Sequence, residues 1–182
     1  MSDKTQVECV SLKTANEEYL DVERGFHKSV GREKYHIVKI ERIQNRTLHE
    51  QYSSKKKQIE ASFSRGNCEK MLWHGTAHTA VTSIKEKGFD RSYCGKNATV
   101  YGQGVYFAKD ASYSAQDTYS PLDYSRHKKM FRCLVLTGEY TTGTAEMRHP
   151  PPNCHSSCND IEGPYIFVIF TFLHNSRARD HK

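Results

Sequence analysis

Three motifs decide the fold of this chain: Met71-Leu-Trp-His-Gly-Thr76, Tyr101-Gly-Gln-Gly-Val-Tyr-Phe-Ala108 and Ser112-Tyr-Ser-Ala-Gln-Asp-Thr-Tyr119. The first is an apolar run that ends in a histidine-glycine pair. The second is a short apolar strand that follows a Gly-Gln-Gly turn, and the third places a tyrosine five residues past a serine. Each motif alone is weak, because such residues usually serve packing or local hydrogen bonding. Their order and spacing together are specific.

Working outward from these motifs, hydrophobic periodicity predicts a mixed order of helices and strands. Helices are expected over residues 15–30, 46–61 and 111–119, and strands over 36–43, 70–74, 105–108, 130–137 and 165–172. Another helix, capped by Thr76 or Thr79, should run through Val81 and end at Gly88, and Asp110 should cap the helix after it. Residues 1–10 are expected to be a loose lead-in. The helices lie mainly in the first two thirds of the chain, which favours an α+β fold over a regular βαβ repeat.

The composition is that of one globular domain with a basic surface. The chain has 182 residues, a net charge of +6 and a pI of about 8.9. The excess of cations could favour phosphates or nucleic acid, but a basic surface without a specific partner is the favoured interpretation. No readable RNA-binding motif supports a nucleic-acid partner. The longest apolar run, Tyr165–Leu173, is too short for a membrane helix.

The cysteines are expected to be free thiols in a reducing compartment, either nucleus or cytoplasm. They stand at positions 9, 68, 94, 133, 154 and 158. Cys154-His-Ser-Ser-Cys158 offers three candidate metal ligands in five residues, but no second pair follows downstream. A structural zinc site usually has four ligands, so no metal is expected.

Taken together, the three motifs resemble the catalytic domain of the poly(ADP-ribose) polymerase family. The resemblance is closest to the mono-ADP-ribosylating, macrodomain-associated branch, which Phe89-Asp-Arg-Ser-Tyr-Cys-Gly-Lys-Asn-Ala98 also resembles. It implies an ADP-ribosyltransferase-type α+β fold, with mixed or antiparallel sheets and flanking helices. It divides the chain into a lead-in (1–14), the catalytic domain (15–170) and a divergent basic tail (171–182).

The resemblance also implies roles for single residues. Tyr106 and Tyr119 match the positions that flank the nicotinamide ring of NAD, and aromatic rings suit such stacking. Gly75 and Ser114 match those that bind the carboxamide, through the backbone and a hydroxyl. His74 matches the position that hydrogen-bonds the ribose hydroxyl next to the reacting carbon. His74 and Tyr106 are therefore the expected catalytic residues, and all five are expected to bind NAD.

The C-terminal end departs from the family pattern. Residues 171–182 do not resemble the final segment that carries the third catalytic position, and Glu162 and Asp180 do not lie in its local pattern. We expect a solvated tail from Asn175 onward, a sheet that lacks a strand after Phe170, and an exposed sheet edge.

The predicted function is transfer of a single ADP-ribose from NAD to a protein acceptor, with release of nicotinamide. NAD is then a consumed substrate. The acceptors are proteins, with the chain itself as one candidate acceptor, and no membrane or nucleic-acid partner is expected. The departure at the C-terminal end leaves one alternative open, a catalytically weak or inactive NAD-binding module.

Overall fold

The computed structural model describes residues 7–62, 66–91 and 99–171, and the backbone of residues 174–175. The helices are α1 (Glu17–Val30), α2 (Arg46–Ser62), α3 (Val81–Lys87) and the single turn α4 (Ala111–Ser114), and a 3-10 turn at His78–Ala80 precedes α3. The strands are β1 (Val7–Ser11), β2 (Glu41–Asn45), β3 (Glu69–Thr76), β4 (Val105–Ala108), β5 (Lys129–Leu136), β6 (Tyr140–Thr142), β7 (Ser156–Cys158), β8 (Ile166–Ile169) and β9 (His174–Asn175).

These strands form two sheets. β1 and β2 make an antiparallel pair, and the other seven form one sheet in the order β6-β7-β8-β4-β3-β5-β9. β6 and β7 run parallel, whereas the remaining described pairings are antiparallel. β3 pairs with β5 from Glu69 opposite Leu136 to Thr76 opposite Lys129. The mixed sheets with flanking helices confirm the predicted α+β class.

The larger sheet is held by alternate side chains that face one core. In β5, Phe131, Cys133 and Val135 are buried, and they belong to the same cluster as Leu72 of β3 and Phe167 of β8. Burying one large apolar side chain stabilises the folded state by about 1.5–3 kcal/mol. The central strands therefore supply much of the buried apolar core. β3 and β4, which carry the first two motifs, lie among them.

α1 forms where its ends are capped. The Asn16 side chain accepts a hydrogen bond from the Glu18 amide at 2.9 Å, and Gly31 follows the last turn with a φ of 82°. The helix packs Phe26 edge-on against Trp73, with ring centroids 5.9 Å apart. α1 thus covers β3 one residue before the histidine-glycine pair.

The helices predicted over residues 15–30 and 46–61 are confirmed as α1 and α2, but three nearby expectations are wrong. Val7–Ser11 are not a loose lead-in, because they pair with β2. The strand expected over 36–43 starts only at Glu41 and runs to Asn45. Neither Thr76 nor Thr79 caps α3, because Ala80 holds the cap position and makes no side-chain hydrogen bond there.

The third motif also differs from the prediction. Asp110 holds the N-cap position of α4, but its side chain makes no capping bond. The helix ends at Ser114 rather than at residue 119, because the chain then tightens into turns. One of these bonds the Tyr119 amide to the Gln116 carbonyl at 3.0 Å.

The end of the chain adds a strand to the larger sheet that the sequence did not predict. His174 and Asn175 form β9, which pairs with Val135 and Leu134 of β5. The prediction of a sheet without a strand after Phe170 is therefore wrong for these two residues, whereas the solvation of the tail from Asn175 onward stays a prediction. The rest of the expected tail, residues 172–173 and 176–182, lies outside the described residues, as does Asp180. The division at residues 14 and 170 stays a prediction.

Two further expectations concern cysteines and membranes. Cys9, Cys68, Cys133, Cys154 and Cys158 are free, as predicted, and position 94 lies outside the described residues. Among the helices that the structure describes, none has both the length and the apolar character needed to cross a membrane.

Candidate active site

The candidate site lies where β3, β4 and α4 meet. β3 and β4 are neighbours, and across the described ranges Trp73 opposite Ala108 is their one recorded pair. α4 follows β4 after the turn at residues 109–110 and packs onto both strands. The end of β3 that carries His74 and Gly75 therefore has β4 as its neighbour in the sheet. α4 packs against the same two strands.

His74 is fixed across the junction of the two strands. Its Nδ1 atom lies 2.8 Å from the carbonyl oxygen of Tyr106. The ring also lies edge-on to Phe89, with centroids 4.6 Å apart, and tilted against Phe107 at 5.5 Å. Two apolar rings and one backbone acceptor thus set both the position and the rotation of the imidazole.

The surroundings of His74 also determine its protonation. Burial lowers its pKa to about 4, although the bond to the Tyr106 carbonyl acts in the opposite direction. The ring is therefore neutral at physiological pH. Because a carbonyl oxygen can only accept, Nδ1 carries the proton, and Nε2 keeps a free lone pair. His74 can accept a hydrogen bond from a ligand hydroxyl but is poorly suited to hold a charge.

Gly75 is a glycine because the third motif approaches its backbone. A Cβ atom at this position would lie 2.1 Å from the Ser114 carbonyl oxygen and 3.1 Å from the Cβ of Tyr119. No side chain fits there without moving the backbone of α4. The close approach joins the first and third motifs and gives a physical reason for the sequence pattern.

Ser114 is buried at this contact. The residue is 4% exposed, but its hydroxyl oxygen is not among the fully buried polar atoms that lack a hydrogen-bond partner. A hydroxyl can both donate and accept a hydrogen bond. The Ser114 side chain is therefore a candidate polar group for a ligand that reaches this contact.

Tyr106 is half-buried and tied to the turn before its own strand. Its hydroxyl accepts a hydrogen bond from the Tyr101 amide and donates one to the Gly102 carbonyl, both at 2.9 Å. Tyr101 is itself fixed, because its carbonyl accepts a hydrogen bond from the Ser157 hydroxyl at 2.6 Å. The Tyr106 ring is thus held at both ends, by β4 and by the turn.

Tyr119 stands beside a tyrosine for which the sequence suggested no role. The rings of Tyr113 and Tyr119 are stacked, with centroids 5.0 Å apart and planes 22° apart. Their hydroxyl oxygens lie 2.8 Å from each other. The sequence did contain a signal for this contact, because Tyr113 stands directly before Ser114 inside the third motif.

The five predicted site residues thus form two groups that meet in β3. His74 contacts Tyr106, whereas Gly75 contacts Ser114 and Tyr119. Since His74 and Gly75 are consecutive residues, the two groups share one short stretch of backbone. The individual binding and catalytic roles of these residues stay predictions.

The described part of the chain contains no group of three His, Cys, Asp or Glu side chains that could hold a metal ion. In the segment that offered candidate ligands, Cys158 is buried and its thiol donates to the Thr141 carbonyl at 3.5 Å. His155 Nδ1 accepts a hydrogen bond from the Glu139 amide at 3.2 Å. Both atoms serve the packing of the β6–β7 region.

Comparison with known proteins agrees with this geometry. A family model described as the poly(ADP-ribose) polymerase catalytic domain matches residues 16–161. The chain is 37% identical over 177 residues to protein mono-ADP-ribosyltransferase PARP10 of Mus musculus, covering 92% of this chain and 18% of that protein. It is 39% identical to the human PARP14 and 37% identical to the human PARP12, both named protein mono-ADP-ribosyltransferases, over 88% of this chain.

The chain corresponds to a small part of these relatives, since it spans 9% of PARP14 and 23% of PARP12. The match to the family model nevertheless covers most of the chain, including all three motifs and the elements around them. The chain therefore belongs to the poly(ADP-ribose) polymerase catalytic domain family.

Proposed function

We propose that this chain is a mono-ADP-ribosyltransferase, which moves one ADP-ribose unit from NAD to a protein acceptor and releases nicotinamide. Family membership supports the use of NAD, and the names of the relatives support a single transfer to protein. The acceptor side chain is not specified by the site. We expect acceptor proteins in the nucleus or cytoplasm, with the chain itself among the possible acceptors.

The observation that carries this proposal is the close contact of Gly75 with Ser114. The missing Cβ lets the Ser114 backbone approach Gly75, and Ser114 brings a hydroxyl-bearing side chain to the same contact. A primary carboxamide offers both a donor and an acceptor, so it can bind a backbone edge and a hydroxyl together. Nicotinamide carries such a group on a flat ring, and Tyr106 and Tyr119 are the aromatic residues that the family resemblance assigns to that ring.

His74 adds a second point of attachment. NAD, when bound, supplies an ADP-ribosyl group whose bond to the cationic nicotinamide ring breaks with the electron pair going to that ring. His74 Nε2 accepts a hydrogen bond from a ribose hydroxyl and so fixes the sugar relative to the acceptor. Its neutrality suits the reaction, because a nearby imidazolium would repel the positive charge that develops on the ribose.

Auto-modification with labelled NAD tests the proposed function. The chain is incubated with NAD that is labelled in its adenylate phosphate, and the products are resolved on a denaturing gel together with added candidate acceptor proteins. A single sharp labelled band on protein supports mono-transfer. A ladder would show polymer formation. Binding of NAD without label transfer or nicotinamide release would instead show a binding module.

A further inference from the structure

The Tyr119 ring is closely associated with the ring of Tyr113. It follows a turn rather than a helix, and it is half-buried. Among the described residues, both the ring contact and the hydrogen bond of its side chain go to Tyr113. Tyr113 therefore restrains the direction in which this ring faces.

Tyr113 itself is firmly placed. It belongs to α4, where Ala111 and Ser114 on either side of it are 0% and 4% exposed. Its amide donates to the Asp110 carbonyl at 3.2 Å, and its ring meets that of Tyr165 edge-on at 6.3 Å. Burial, and then the bond to Tyr119, raises the pKa of the Tyr113 phenol, so its hydroxyl keeps its proton at any physiological pH. An ordered element thus extends through Tyr113 to Tyr119.

We propose that Tyr113 is a positioning residue for NAD: it fixes the plane of the Tyr119 ring and thereby the strength with which that ring stacks on nicotinamide. The inference rests on the proposed function. One face of the Tyr119 ring is covered by Tyr113, so the ligand ring stacks on the opposite face and forms the third layer of an aromatic stack. Offset stacking is sensitive to ring orientation, which explains why a residue without ligand contact affects binding.

A double-mutant cycle on the two hydroxyl groups tests this coupling. The affinity of benzamide, an uncharged mimic of nicotinamide, is measured by calorimetry for the wild-type chain, Tyr113→Phe, Tyr119→Phe and the double variant. Each single variant should lose about fivefold in affinity, the effect of one hydrogen bond. The double variant should lose no more than either single one. Tyr124→Phe is the matched control, because Tyr124 is 98% exposed and should bind as the wild type does.

A second pair of variants separates positioning from folding. Tyr113→Leu removes the ring as well as the hydroxyl, and it should raise the KM for NAD by about tenfold or more while kcat changes less, since ground-state stacking is lost. Tyr113→Phe should recover most of that loss, because the ring stack remains. Melting temperatures of all variants are measured on the same preparations.

Three results would overturn the inference. If the effects of Tyr113→Phe and Tyr119→Phe multiply in the double variant, the two hydroxyls act independently. If Tyr113→Leu lowers the melting temperature but the folded protein keeps wild-type affinity and KM, Tyr113 only supports α4. If wild-type protein fails to bind benzamide at all, the proposed function fails as well, and this outcome is distinct from the other two.

Discussion

At the scale of single residues, the neutral state of His74 has a consequence for stability. The ordinary histidine pKa of 6.5 applies in the unfolded chain, whereas burial lowers it to about 4 in the folded protein. Between these values the unfolded chain binds a proton that the folded protein does not. Proton uptake therefore favours unfolding in this window, and the free energy of unfolding falls as the pH drops from 6.5 towards 4.

We predict that this component disappears in His74→Gln, which keeps a polar side chain but cannot titrate. Between pH 7 and pH 5 the free energy of unfolding of the wild type should fall by about 2 kcal/mol more than that of the variant, as linkage requires for such a shift. Urea unfolding at pH 7, 6 and 5 measures the difference. Parallel curves for the two proteins would show that folding does not lower the pKa of His74, contrary to its surroundings.

Because of its close contact with Ser114, we predict that position 75 tolerates no side chain larger than hydrogen. In Gly75→Ala the new methyl would meet the Ser114 carbonyl at 2.1 Å, and that carbonyl belongs to the backbone. We expect the strain to lower the free energy of unfolding by about 1–3 kcal/mol and to abolish benzamide binding. Gly163→Ala is the control, because a Cβ there has no atom within 4 Å. Unchanged benzamide affinity in Gly75→Ala would contradict the close packing of the two motifs.

At the scale of elements, α2 is joined to the sheet by a buried carboxylate. Glu69, at the start of β3, is 8% exposed and accepts a hydrogen bond from the Tyr52 hydroxyl. Lys56 Nζ lies 2.8 Å from its other oxygen. Burial and the bond to Glu69 raise the pKa of Tyr52, and the bond to Glu69 raises that of Lys56. The carboxylate thus has a partner on each oxygen, and both partners come from α2.

This network should matter for stability rather than for chemistry. Glu69 precedes His74 by five residues of strand, or about 17 Å at the usual rise per residue. We predict that Tyr52→Phe lowers the free energy of unfolding by about 1–3 kcal/mol, because one carboxylate oxygen loses its buried donor. The KM for NAD should stay unchanged. Thermal melting and steady-state kinetics of Tyr52→Phe beside Tyr124→Phe measure the two effects, and a raised KM without loss of stability would contradict the assignment.

The same scale shows which elements a sequence can predict. α1, α2 and β5 were predictable because their apolar residues recur with a clear helical or strand period over eight or more residues. β6, β7 and β9 have two or three residues each, too few to show a period. β1 was missed because Glu8 and Cys9 are exposed and only Val7 and Val10 are partly buried. Its position is determined by pairing with β2, a contact between distant residues.

At the scale of the whole molecule, the sequence predicted which residues meet but not how they are held. Family resemblance brought His74, Gly75 and Ser114 into one site, and the structure places them together. The bond from His74 to the Tyr106 carbonyl joins residues 32 positions apart, and no local pattern predicts it. The stack of Tyr113 on Tyr119 was missed for another reason: a tyrosine on a short helix usually packs in the core, and only the turn after Ser114 brings the rings together.

The most direct test of the transferase assignment is nicotinamide release from NAD by wild-type protein, His74→Gln and His78→Gln, with melting temperatures taken on the same samples. His78 is the matched control, because its ring contacts exposed Tyr124 and not the site residues. If neutral His74 fixes the ribose of NAD, His74→Gln should release nicotinamide about a hundredfold more slowly than the other two proteins, since misplacing a reacting group costs that much. Its melting temperature at pH 7 should fall little. Equal rates in all three proteins, or a loss of activity that merely follows a loss of folded protein, would contradict the assignment.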